Sequence, residues 1–116
     1  MFRRNKFGAC RTADGFPSKL ERAVFMKLKD RESLGEISKI ERQSTVVLQE
    51  GPPKVRIAWK VDFSFERNGV REYAEAKGVK TADFMLKLKL WRKKRPARLE
   101  IWQGSWKSPK LVEVVE

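Results

Sequence analysis

Between Val55 and Glu66 the chain alternates. Val55, Ile57, Trp59, Val61, Phe63 and Phe65 are separated by Arg56, Ala58, Lys60, Asp62, Ser64 and Glu66. A period of two over this length predicts a half-buried strand. Asn68-Gly69 follows, the pair that best fits a two-residue type I′ turn, so a second strand from Val70 to Lys77 should fold back on the first and stop at Gly78. Upstream, residues 37–48 are rich in β-branched side chains and end in Thr45-Val46-Val47-Leu48, which predicts another strand, closed by the turn at Gly51-Pro52-Pro53.

Two stretches change period. Ser18-Lys19-Leu20-Glu21 reads as a capping box, serine as N-cap and glutamate three residues on, and Leu20, Val24 and Leu28 continue as an apolar stripe towards a stop at Gly35. Thr81 can cap a second helix whose inner face is Phe84, Leu88 and Trp91 and which Pro96 ends. Leu99 and Ile101 suggest a last strand, and the segment from Gly104 has no assignment. The expected order is α-β-β-β-α-β, an α/β domain over residues 16–116 with a mixed central sheet flanked by helices. Residues 1–15, with Arg3, Arg4, Lys6 and Arg11, read as a flexible basic arm. Trp59, Trp91 and Trp102 are expected in the core. Trp106 stays open between a surface residue, an interface anchor and a base-stacking residue.

Composition narrows the function. Among 116 residues, 27 Lys and Arg stand against 15 Asp and Glu, a formal charge of +12. A small domain so charged repels itself unless it meets a polyanion, and nucleic acid is the default partner. A ribosome-associated protein or a merely solubilising surface are the bland alternatives. There is no histidine, which removes Ser-His-Asp and Cys-His catalysis and His-based zinc sites. A lone Cys10 forms no internal disulfide and fits a reducing compartment. No apolar run reaches the roughly 18 to 20 residues of a membrane span, and the basic start has no apolar segment behind it, so a cytoplasmic location is expected.

Hydrolytic chemistry must then come from carboxylates, lysine and a hard metal ion. Counting outward from the Asn68-Gly69 turn, Arg67 opposes Val70 and Asp62 falls opposite Glu75, with Cβ atoms expected roughly 4.5 to 5.5 Å apart. Lys77 points to the same face. The other face, with Trp59, Val61, Phe63, Phe65, Ala74 and Ala76, reads as one core side. Like charges directly opposite on a sheet are destabilising unless something positive lies between them. A hard cation such as Mg²⁺, with Mn²⁺ able to substitute, binds through one or two carboxylates and phosphate oxygens. Such an ion activates water and neutralises a scissile phosphate, with Lys77 placed to orient the nucleophile or stabilise the transition state. The bland reading is a solvent-facing strand whose acids Lys77 neutralises. Glu21 also has two readings, a helix cap or a third acid reaching the metal cluster, and spacing does not choose between them.

Ser18-Lys19-Leu20-Glu21, Asp62-Phe63 and Glu75-Ala76-Lys77-Gly78 together resemble the PD-(D/E)XK nuclease superfamily. More narrowly the chain is similar to short phage and prophage proteins of that type, through Gly35-Glu36-Ile37-Ser38 and Lys77-Gly78-Val79-Lys80-Thr81. It also resembles Holliday-junction resolvases of the phage endonuclease I and archaeal types. The likeness covers about residues 15 to 103. It implies a restriction-endonuclease-like fold, with Asp62, Glu75 and the Ala76 carbonyl as metal ligands, Lys77 as the catalytic lysine and Glu21 as the helical acid. Val61 stands where the family has proline, which lowers the motif's specificity.

The implied activity is Mg²⁺-dependent hydrolysis of phosphodiester bonds in branched DNA. The alternatives are a non-catalytic nucleic-acid-binding protein, or the same chemistry on unbranched duplex or RNA. Two-strand cutting of a junction needs two active sites, hence an expected homodimer. Lys80, Lys87, Lys89, Arg92 and Lys93 on the second helix, and Arg3, Arg4 and Lys6 in the arm, are the expected phosphate contacts.

Overall fold

The first helix begins where its cap dictates. The computed structural model describes residues 15–116, so the arm with Arg3, Arg4 and Lys6 lies outside the described residues. Helix α1 spans Lys19–Ser33, and the Ser18 hydroxyl accepts from the Glu21 amide at 3.1 Å. Gly35, at φ +77°, takes the left-handed turn that lets the chain leave the helix. Three strands follow, β1 (Ser38–Gln49), β2 (Ile57–Arg67) and β3 (Val70–Ala76). Asn68 and Gly69 both have positive φ, 53° and 79°, as the expected type I′ turn requires. Arg67 pairs with Val70 and Phe63 with Ala74, the register counted from the sequence.

Helix α2 spans Ala82–Lys94, and the Thr81 hydroxyl accepts from the Phe84 amide at 3.1 Å. It ends at Arg95 in the left-handed region, just before Pro96. The chain then forms β4 (Leu99–Ser105), and the unassigned segment proves to be a hairpin partner, β5 (Ser108–Val115). The sequence there lacks an Asn-Gly or Asp-Gly signal, since the turn residues are Trp106 and Lys107. The order is therefore α-β-β-β-α-β-β, one strand longer than expected.

The fold is α/β. The sheet runs β1-β2-β3-β4-β5 and is mixed: β3 and β4 are parallel, joined through α2, and the other pairs are antiparallel. Both faces are covered. Leu20, Val24 and Leu28 of α1 pack on Phe63, Phe65, Ala74 and Trp102, while Phe84, Leu88 and Trp91 of α2 pack on Val46, Trp59, Val61, Leu99 and Ile101. Trp91 is closed in by Trp59 and Tyr73, with ring centroids at 5.8 and 5.5 Å, and its indole N–H donates to the Ala97 carbonyl. Burying each such side chain contributes about 1.5–3 kcal/mol. Among the described residues no helix is long and apolar enough to cross a membrane.

The two cores correct one expectation. A regular β2 would turn Trp59, Val61, Phe63 and Phe65 to one face. Instead Trp59 and Val61 join the α2 core and Phe63 and Phe65 the α1 core. The reversal falls at Asp62, between the pairs Ser44–Val61 and Arg42–Phe63. On β1 the intervening residue is Gln43, at φ +60°. A single left-handed residue swings the strand's side chains over, and β2 follows it in register.

Candidate active site

The hairpin ladder closes at Phe63–Ala74. Beyond it β2 stays paired with β1 through Val61, Lys60 and Trp59, while β3 pairs with β4 through Glu75–Ile101 and Ala76–Trp102. The two strands part, and their backbone groups need other partners. Side chains supply them. The Asp62 amide donates to Glu75 Oε1 at 3.0 Å, and the Ala76 amide donates to Asp62 Oδ2 at 2.9 Å. The expected acid pair is thus together, locked by the backbone of the opposite strand.

Glu75 is buried at 6% exposure, and Asp62 is half-buried. Burial raises the Glu75 carboxyl well above the usual range, and the charge of Asp62 adds to the rise. Burial also raises Asp62, although the Ala76 amide and hydrogen bonds with Glu21 and Glu75 pull it back.

Lys77 and Glu21 complete the cluster. The Lys77 amide is fixed by the Trp102 carbonyl at 2.9 Å, and its ammonium lies 5.6 Å from the Phe84 ring centroid. From there its charge reaches both acids and favours their ionised forms. Glu21, 5% exposed on α1, meets the Asp62 carboxyl and accepts from Gln43 Nε2 at 3.4 Å. Its amide serves the cap while its carboxylate enters the site, so one residue takes part in both.

Among the described residues no three Asp, Glu, Cys or His side chains form a ready-made metal cage. The donors nonetheless suit a hard cation. Their oxygens belong to carboxylates, with no nitrogen or sulfur ligand among them, and both acids are raised by burial, Glu75 also by the charge of Asp62, a surplus that a divalent ion would neutralise. A site of one or two carboxylates with water and phosphate oxygens matches the way Mg²⁺ is held.

The expected phosphate contacts divide. Lys80, Lys89 and Lys93 are exposed. Lys87 is half-buried and pairs with Asp83 at 3.1 Å, and Arg92 pairs with Glu113 of β5. Exposed pairs of this kind are weak and can yield to phosphate.

Two features had no clear signal in the sequence. Gln43 sits in a strand-forming run, and nothing in that run marks it as left-handed. Glu100, 1% exposed on β4, accepts from Arg31 Nη1 at 3.0 and 2.9 Å, from Arg98 Nη1 at 2.7 Å and from Trp102 Nε1 at 3.0 Å. Arg98 also reaches Glu72, which is buried. Burial raises Glu100, but the two arginines and the indole outweigh it and hold the carboxyl below its usual value. This network ties α1 to the sheet and stands apart from the Asp62 cluster.

No curated protein and no solved structure matches the chain. A family model does, that of the proteins of unknown function named DUF1064. It matches residues 4–113, nearly the whole sequence, and the chain belongs to that family.

Proposed function

We propose that this protein is a metal-dependent endonuclease of the PD-(D/E)XK type, with a restriction-endonuclease-like fold and branched DNA as its substrate. The observation that carries the proposal is the reciprocal clasp of Asp62 and Glu75 where β2 and β3 part, with the charge of Lys77 beside it and Glu21 reaching in from α1. An acid pair merely exposed on a strand would have no need of burial. Here Glu75 is buried, Asp62 is half-buried, and a third acid joins them.

Asp62 and Glu75 would hold a Mg²⁺ ion, with the Ala76 carbonyl as a backbone donor and Glu21 close by. Such an ion supplies neutralisation of the scissile phosphate and acidifies water. The protein's own groups do the rest. The clasp fixes both carboxylates before substrate arrives, which lowers the cost of organising the site. Lys77, tethered through its amide to β4, stabilises negative charge as it grows on the phosphate or orients the attacking water. Glu21, steadied by Gln43, orders water on the α1 side. Lys80, Lys89 and Lys93 draw the duplex to the place where β2 and β3 part. Paired incisions across a junction call for two such sites, hence a homodimer.

The test incubates purified protein with labelled four-way junction, flap, duplex and single strand, in Mg²⁺ or Mn²⁺. Cleavage that needs metal and disappears in Asp62→Asn and Lys77→Ala is the expected result. Binding without cleavage of any substrate would leave a non-catalytic nucleic-acid-binding protein.

A further inference from the structure

Among the described residues a groove lies between the outer face of α1 and the turn joining β4 to β5. Its volume is about 610 Å³, and the cations Lys19, Arg22, Lys27 and Lys107 surround an apolar floor of Ala23, Met26, Pro109 and Trp106. Among the described residues of this lining, Asp30 is the acidic one. Trp106 occupies the hairpin turn and is 49% exposed, whereas Trp59, Trp91 and Trp102 are buried. Two ammonium groups lie over its ring, Lys19 at 5.3 Å and Lys107 at 5.5 Å from the centroid.

An indole held in the open between cations is a costly surface to leave bare, and each component matches one part of a nucleic-acid strand. Aromatic faces stack on unpaired bases, and flanking ammonium groups track the backbone. In a duplex the base faces are already covered by their neighbours, so a tryptophan at a turn has nothing to stack on. A single strand offers both. On its approach the lysines exchange the ring face for phosphates, and a base takes the place they leave. The chain's charge of +12 favours a polyanion over an apolar partner.

We infer that this groove binds a single-stranded segment of DNA, with a base stacked on Trp106 and phosphates on Lys19, Lys107 and the neighbouring α1 cations. The inference deepens the nuclease reading, because Lys19 and Arg22 flank Glu21 on α1. A strand in the groove passes along the helix whose inner face delivers that acid. Branched DNA supplies such a segment wherever its strands separate.

The groove is tested by binding rather than cleavage. The full-length protein is titrated in EDTA with a labelled oligothymidine, following both anisotropy and tryptophan emission. The other described tryptophans are buried, so quenching on binding reports Trp106. Quenching is expected with wild type and lost in Trp106→Leu, with affinity falling about tenfold. The double variant Lys19→Gln/Lys107→Gln should keep the quenching and lower the salt slope by about 0.7 per lysine. Unchanged melting temperatures confirm that the variants are folded. Equal affinity in wild type and Trp106→Leu, an unchanged salt slope, or equal quenching by blunt duplex or by polyglutamate would overturn the inference. Failure of the wild type to cleave any substrate would sink the nuclease reading and leave this result standing.

Discussion

Asp62 and Glu75 hold each other through the backbone as well as through their carboxyl groups. The Asp62 amide donates to Glu75 Oε1 at 3.0 Å, and the amide just beyond Glu75 donates to Asp62 Oδ2 at 2.9 Å. Oxygen acceptors at both positions therefore maintain the fold where the ladder has ended, while the charges strain it. Asn and Gln keep the acceptors and remove the charges. Asp62→Asn and Glu75→Gln should each abolish metal-dependent cleavage yet melt no lower than wild type in EDTA. A gain of about 1 kcal/mol would appear as a rise of about 4–8 °C in a domain of this size. Variants that lose both activity and several degrees would show that the acids serve structure alone.

The same strain makes stability depend on pH. In the folded protein the carboxyls of Asp62 and Glu75 ionise above their ordinary values of 3.8 and 4.5. Below those values both folded and unfolded chains are protonated there, and no penalty exists. As pH rises towards the native values, the unfolded chain loses its protons first and stability falls. Glu100 acts in the opposite direction, since its native value lies below 4.5: its contribution is complete above that pH and is lost as pH falls further. Urea midpoints in EDTA between about pH 4 and 8 should therefore drop more in wild type than in Asp62→Asn/Glu75→Gln. Parallel curves would rule the strain out.

Adding Mg²⁺ should reverse the loss. The ion must displace a proton from the acid pair, so its affinity rises with pH, and binding to the folded state alone raises the melting temperature. The expected shift is larger at pH 8 than at pH 5 by about the difference in carboxylate ionisation, and absent in the double variant. A shift of equal size in that variant would place the ion elsewhere.

Glu100 is a stability element of a different kind. It is buried with two guanidinium groups and an indole N–H on its oxygens. Glu100→Ala leaves Arg31 and the Trp102 indole without this acceptor, while Arg98 keeps Glu72, and should cost about 3 kcal/mol. Arg31→Ala should cost less, because Arg98 stays in place. Cleavage by folded Glu100→Ala at low temperature should match wild type, and a selective loss of activity would join this network to the site.

Much of this arrangement is legible in the sequence, and the exceptions have physical causes. Ser18 and Thr81 start the helices because their hydroxyls accept orphan amides, an interaction local enough to read from four residues. Asn68-Gly69 fixes the hairpin register, and with it the meeting of Asp62 and Glu75, because both residues tolerate positive φ. The Glu100 network was hidden because Arg31, Arg98 and Glu100 come from distant segments, and only packing of α1 on the sheet brings the first to the others. Strand β5 was hidden because a Trp-Lys turn carries no local signal. The face reversal at Asp62 was hidden for a third reason: alternation is unbroken in the letters, and the departure lies in the backbone of β1, at positive φ in Gln43.

Gln43 is therefore the sharpest test of how the site is built. A non-glycine residue in the left-handed region carries a cost of order 1 kcal/mol or more, and it persists only where its surroundings require it. Here the turn brings Val61 and Phe63 to opposite cores and sets the Gln43 amide against Glu21. Gln43→Gly relieves the backbone but removes the amide. It should melt within about 1 kcal/mol of wild type and cut at least about tenfold more slowly, with the loss in turnover and not in DNA affinity. Gln43→Val, β-branched at positive φ, should instead be destabilised by about 1–3 kcal/mol. If Gln43→Gly cleaves as fast as wild type, the amide does not steady Glu21, and the left-handed turn is needed only to bring the two cores onto their separate faces.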